Sequence, residues 1–201
     1  MIGRKRKTVR MRQVFGTLAC GSVLLAGAGA CSDDKTPVAK GSVAPGAGQG
    51  DPGVLLQQGI EQGQAGKSDE AKATFEKVVA LQGDNKFAWF NLGYLAQSRN
   101  ATDEAVADYD KALQIDDSYR PALYNKAMLL EEAKPDEAVA LYRKIVDADE
   151  GASTAYLRLG LMLVRQHDRT GAREAFASAI KADPKLASTV PEDFRPQKTK
   201  R

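Results

Sequence analysis

Asn91, Asn125 and Arg158 follow one another at intervals of 34 and 33 residues. An asparagine amide donates and accepts hydrogen bonds, so it can hold a peptide backbone whatever the peptide's sequence. An arginine guanidinium grips a carboxylate with two parallel bonds. A row of such groups is chemistry for holding an extended chain. Candidates for catalysis are few beside it. His167 is the only histidine, and no acid, base or nucleophile is patterned with it. The sequence has no nucleophile motif, glycine-rich phosphate loop or metal-ligand spacing. A hydrolase reading is therefore unsupported, and no enzyme, cofactor or metal is expected. Glu131, Glu132, Asp136 and Glu137 cluster, but without calcium-loop spacing they read as a solvated face.

The row's interval is shared by the elements that must position it. Gly59, Gly93 and Gly160 are each followed twelve residues later by an alanine (Ala71, Ala105, Ala172). Four residues further on stands an aromatic: Phe75, Tyr109 or Phe176. A shorter unit between them runs Ala127, Ala138, Tyr142. The units start near Pro52, Lys86, Arg120 and Ser153, giving approximate spans 52–85, 86–119, 120–152 and 153–186. Within the second, Trp89, Leu92, Gly93 and Ala96 recur at helical spacing, and so do Ala105, Tyr109 and Ala112. Asn100 suits a left-handed turn between two helices, and Thr102 suits the following N-cap. Small residues belong where two backbones nearly touch, with Trp89, Leu92 and Tyr109 filling the space beside them. One such pair leaves an apolar face that only the next pair covers. The pattern predicts eight helices across 54–182.

These residues resemble the tetratricopeptide repeat (TPR) family. Trp89, Leu92, Gly93, Ala105, Tyr109 and Ala112 carry the resemblance in unit two. Tyr156, Leu159, Gly160, Ala172, Phe176, Ala179 and Pro184 carry it in unit four. Unit one has Gln58 where leucine is expected, and unit three has Lys126 and Ala127 in place of Leu-Gly. The resemblance implies an all-α fold, a right-handed superhelical α-solenoid of about four helix pairs across 52–184. First helices then line a concave groove for a protein or peptide segment. Phe87, Phe90, Asn91, Tyr94, Tyr124, Asn125, Met128, Leu157, Arg158, Leu161 and Arg165 are the expected lining. Phe90, Tyr94 and Tyr124 lie off the packing period and are expected to surround one apolar pocket. The family usually ends in a solvating helix. Residues 185–201 are basic, contain two prolines and have no apolar period, so they read as a disordered tail. That leaves unit four uncapped, and a homo-oligomer through its open end is an alternative function.

Charge is spread unevenly. Residues 1–12 carry +6, residues 51–184 carry −6, and residues 185–201 carry +3. An acidic folded part gives no support to nucleic-acid binding. Residues 14–30 hold no charge. A basic start, an apolar run and small residues at its exit describe a secretory signal. Ala28-Gly29-Ala30-Cys31 resembles a bacterial lipoprotein box, which implies lipidation at Cys31. An uncleaved signal anchor is the alternative, with free secretion a third. All three fates put the folded part outside the cytoplasm, and the first two tether it to a membrane. Residues 32–51 are rich in Gly, Pro, Ala and Ser and read as a flexible tether.

Overall fold

A computed structural model of the protein describes residues 50–195. The basic start, the apolar run, Cys31, nearly all of the tether and residues 196–201 lie outside the described residues. Among the described residues there are eight α-helices and no strand. They alternate along the chain as α1 (Pro52–Gln64), α2 (Ser68–Leu81), α3 (Lys86–Ser98) and α4 (Thr102–Ile115). The remaining four are α5 (Arg120–Leu130), α6 (Pro135–Ala148), α7 (Ser153–Arg165) and α8 (Arg169–Ala182). The first helix of each pair begins where a repeat unit begins in the sequence.

Turn chemistry sets the helix ends. Gly66, Asn100 and His167 occupy equivalent places after α1, α3 and α7, with φ of +76°, +60° and +63°. The lone histidine thus serves a left-handed turn, a conformation that costs most residues energy. Asp51, Asn85 and Asp168 accept hydrogen bonds from the first-turn amides of α1, α3 and α8. Thr102 does not cap α4. It is the first helical residue, and Ala101 before it provides no side-chain cap.

Within a unit the pair is fixed by a ring lying on a glycine. A Cβ placed on Gly59 would lie 2.6 Å from the Phe75 ring, on Gly93 2.8 Å from Tyr109, and on Gly160 2.5 Å from Phe176. The partner alanines Ala71, Ala105 and Ala172 are fully buried. Trp89 is only half-buried. Its indole N–H donates to the Gly83 carbonyl at 2.8 Å, and its ring covers the joint between α2 and α3. First helices of neighbouring units touch directly, α1 with α3 and α3 with α5, more closely than second helices approach one another. First helices therefore line the inner side of the curve.

The departures from the repeat have physical causes. Among the described residues no unit precedes unit one; Gln58 is exposed there, and a polar side chain suits it. In unit three Lys126 is only 12% exposed, and its ammonium lies 2.8 Å from both Asp110 on α4 and Glu137 on α6. An ion triad thus replaces a leucine at that joint. The first helix of this unit spans 11 residues against 13 in each of the others.

The expectation of a disordered tail and an open unit four does not hold over residues 184–194. Two short 3₁₀ turns, η1 (Pro184–Ser188) and η2 (Glu192–Phe194), fold back along α8. Val190 and Phe194 are buried there. The Phe194 ring meets Phe176 at 5.3 Å, with the Arg169 guanidinium 5.0 Å from its centre. Two apolar side chains suffice where a helical period is absent, which is why periodicity gives no sign of this cover.

Gly93→Ala is expected to lower stability by about 1–3 kcal/mol through overpacking. Ala107→Leu, on the exposed face of α4, is expected to change it little. Urea midpoints of the two variants check this.

Candidate functional site

The expected groove residues divide into two groups. Phe90, Asn91 and Leu157 are buried, so they do not line an open surface. Tyr119, just before α5, closes over Phe90 with ring centres 5.6 Å apart, and Tyr109 lies 5.8 Å away on another side. The first helices α3 and α5 are each flanked by their own second helix and by the units before and after. Only a narrow stripe remains for solvent, and Phe90 falls outside it. The predicted pocket of Phe90, Tyr94 and Tyr124 does not form. Tyr94, Tyr124, Asn125, Met128, Arg158 and Leu161 are half-buried, and Arg165 and Phe87 are exposed.

The polar row is engaged within the chain, and the second-helix aromatic decides how. That aromatic precedes each row residue by 16 positions: Phe75 and Asn91, Tyr109 and Asn125, Tyr142 and Arg158. Tyr109 has a hydroxyl, which donates to Gln97 Oε1 at 2.6 Å and receives Asn125 Nδ2 at 3.3 Å. Tyr142 donates to Glu131 Oε1 at 2.7 Å, and Arg158 Nη1 lies 3.2 Å from both Glu131 oxygens. Phe75 offers no hydroxyl. Asn91 turns back instead, and its Nδ2 donates to the Phe87 carbonyl at 2.8 Å. Burial pushes both tyrosine hydroxyls well above the ordinary phenol range, so each stays a proton donor. Glu131, Gln97 and the two tyrosines are thus part of the row. The 16-residue spacing of the tyrosines to it was the available signal.

The groove cations are neutralised. Arg158 pairs with Glu131 and also meets the Tyr124 hydroxyl. Arg165 pairs with Glu132 at 2.8 Å. Part of the acidic cluster therefore serves these two arginines. Among the described residues no group of His, Cys, Asp and Glu is arranged to hold a metal ion. The side chains of Tyr94, Tyr124, Met128 and Leu161, on α3, α5 and α7, are half-buried. The inner face is an apolar strip with its charges already matched. Two shallow depressions of about 280 and 320 Å³ lie elsewhere, lined mainly by second-helix residues such as Glu174, Ser178, Asp110 and Lys144.

Two carboxylates on the other faces titrate unusually. Burial, reinforced by the nearby Glu104 charge, pushes Asp108 up to about 6. The hydrogen bond from Lys86, aided by Ser118, holds Asp116 down to about 2. That bond joins the start of α3 to the end of α4 at 2.5 Å.

A family model described as tetratricopeptide repeat matches residues 56–120 and 129–187. Protein STIP1 homolog of Dictyostelium discoideum is 30% identical over 108 residues, covering 50% of this chain and 19% of that protein. Protein O-mannosyl-transferase Tmtc3 of Drosophila melanogaster is 27% identical over 116 residues, covering 57% of this chain and 12% of that protein. The chain therefore spans about a fifth or less of these two relatives. A crystal structure of MamA superposes with a TM-score of 0.63 at 22% identity, covering 69% of this chain and 82% of that one. This last likeness shows the fold.

Arg158→Ala is expected to cost about 1–2 kcal/mol, because it leaves Glu131 partly buried without its charge-assisted bonds. Adding Glu131→Ala should then cost less than the two single losses summed, as residues in one network couple. Asp108 binds a proton more tightly folded than unfolded, so its contribution to stability improves as pH falls from about 7 to 4. Asp108→Asn should therefore gain about 1 kcal/mol at pH 7, after allowance for solvent screening, and gain nothing near pH 4. Asp116 works oppositely: its contribution is full above about pH 4 and is lost towards pH 2. Urea titrations across this pH range check both.

Proposed function

Because the chain belongs to the tetratricopeptide repeat family, we propose that it is a non-enzymatic scaffold binding a segment of a partner protein along its first helices. TPR folds generally act as protein-interaction scaffolds, and an apolar strip with matched charges suits an uncharged, apolar segment. The single observation carrying this reading is the engagement of Arg158 and Arg165 by Glu131 and Glu132. With both arginines already paired to carboxylates, apolar burial along the strip suits this reading better than a carboxylate clamp. Segment 1–31 adds the second half of the proposal. A basic start, an uncharged run and Cys31 support export and tethering at the outer face of a bacterial membrane. The alternative of a homo-oligomer stacked through unit four loses its motive, since Val190 and Phe194 cover that end and Gln58 faces outward at the other.

Capture of partners from solubilised membranes by the full chain, followed by calorimetry with the partner segment identified, tests the binding reading. Leu161→Ala combined with Met128→Ala is expected to weaken binding by about 2 kcal/mol, as for a buried apolar anchor. The variant pair Arg158→Ala, Glu131→Ala should bind a neutral segment almost as tightly as the native chain. Dependence of binding on a carboxylate in the segment would return the arginines to the site. Cys31→Ser is expected to abolish lipid attachment, read by mass spectrometry of the membrane fraction.

A further inference from the structure

The large apolar side chains exposed among the described residues are Leu81 at 60%, Phe87 at 46% and Ile115 at 38%. All three occupy one edge of the solenoid. Leu81 ends α2, Phe87 opens α3 and Ile115 ends α4. Because helices alternate in direction, this is the edge where second helices finish and first helices start. The Phe87 ring continues onto Tyr119 at 5.7 Å, with the Lys86 ammonium about 5 Å from both rings. The opposite edge, carrying Gly66, Asn100 and His167, has no large exposed apolar side chain among the described residues.

The chain also enters the fold at the apolar edge, because Asp51 caps the start of α1. Before it come 49 residues outside the described part, including the uncharged run 14–30 and Cys31. A stretch with the composition of residues 32–51 reaches on the order of 25 Å. With that average span from Asp51, a membrane holding Cys31 lies on the side of the fold that carries Leu81, Phe87 and Ile115. We propose that this edge lies against the lipid bilayer to which the chain is tethered, with Leu81, Phe87 and Ile115 entering the interface. The proposal rests on the tethering reading above. Charge selects the lipid. Lys86 pairs with Asp116, Lys144 with Asp117 and Arg120 with Asp149. Asp84 and Glu150 remain at the same edge, so it carries no excess of cations and suits a zwitterionic surface over an anionic one. Contact at the edge sets the groove upright, open sideways for a partner.

Trp89, the only tryptophan, stands in the first turn of α3 beside this edge and serves as the probe. The full chain is reconstituted with phosphatidylcholine vesicles whose acyl chains are plain or brominated, and vesicle association is followed by sedimentation. Trp89 emission is expected to fall with brominated lipid. The fall should vanish in the triple variant Leu81→Ser, Phe87→Ser, Ile115→Ser, whose side chains are exposed and whose helix content should be unchanged by circular dichroism. A reporter placed opposite, Ala65→Trp in a Trp89→Phe background, should stay unquenched, since Ala65 is exposed at that edge with an ordinary backbone. A chain that sediments with vesicles but shows equal Trp89 emission in both lipids overturns the edge contact and leaves tethering intact. Equal quenching of the two reporters overturns it as well. A chain that does not sediment overturns tethering and the edge contact together.

Discussion

Everything in this solenoid depends on an aromatic ring resting on a backbone with no Cβ. Gly59, Gly93 and Gly160 let the second helix come close enough for Phe75, Tyr109 and Phe176 to pack against the first. The glycine costs helix propensity on the order of 1 kcal/mol, and the burial of a whole ring offsets it. That contact fixes the distance within each pair, and so fixes which face the pair presents to its neighbour. Stacking then follows from the apolar surface left over, as expected of an array whose units meet only adjacent units. Unit three shows the constraint relaxed. Ala127 replaces the glycine, the first helix is shorter, and Lys126 with two carboxylates fills the joint that leucine fills elsewhere.

A second-helix aromatic has a further role that depends on one oxygen atom. With a hydroxyl it organises the polar groups of the next first helix. Without one, those groups turn to their own backbone. Tyr109 thereby couples unit two to unit three through Asn125, and Tyr142 holds Glu131, whose bond from Arg158 links unit three to unit four, while Phe75 makes no such link. The same network pairs Arg158 with Glu131. Interior polar groups that are fully satisfied tend to specify one arrangement, and here they leave an apolar stripe as the inner surface.

The architecture was legible because it is periodic. Small residues at Gly93 and Ala105 and the ring at Tyr109 recur in phase, and repetition of one physical solution survives the noise of single positions. The site was less legible. Phe90 and Asn91 lie off the packing period of an isolated pair but are covered by Tyr119 and by the following unit, a contact that belongs to the stack. Arg158 read as a ligand-binding cation because its partner, Glu131, lies 27 residues earlier in what seemed only a solvated acidic run. The cover over unit four escaped notice because Val190 and Phe194 are single anchors without a period, separated by Pro191. Helical periodicity reports surfaces that repeat, and it is silent about a surface made once.

That cover has a consequence for how the protein can grow. Ala187 stands 34 residues after Ser153, the place where a fifth first helix would open. Instead the chain turns twice, meets Pro191 and seats Phe194 on Phe176. A duplicated repeat added after unit four would have to displace Phe194 before it found any surface to join. One added before unit one would meet Gln58 where the repeat expects leucine. Both ends of the described array therefore offer a further unit less matched surface than the joints inside it do.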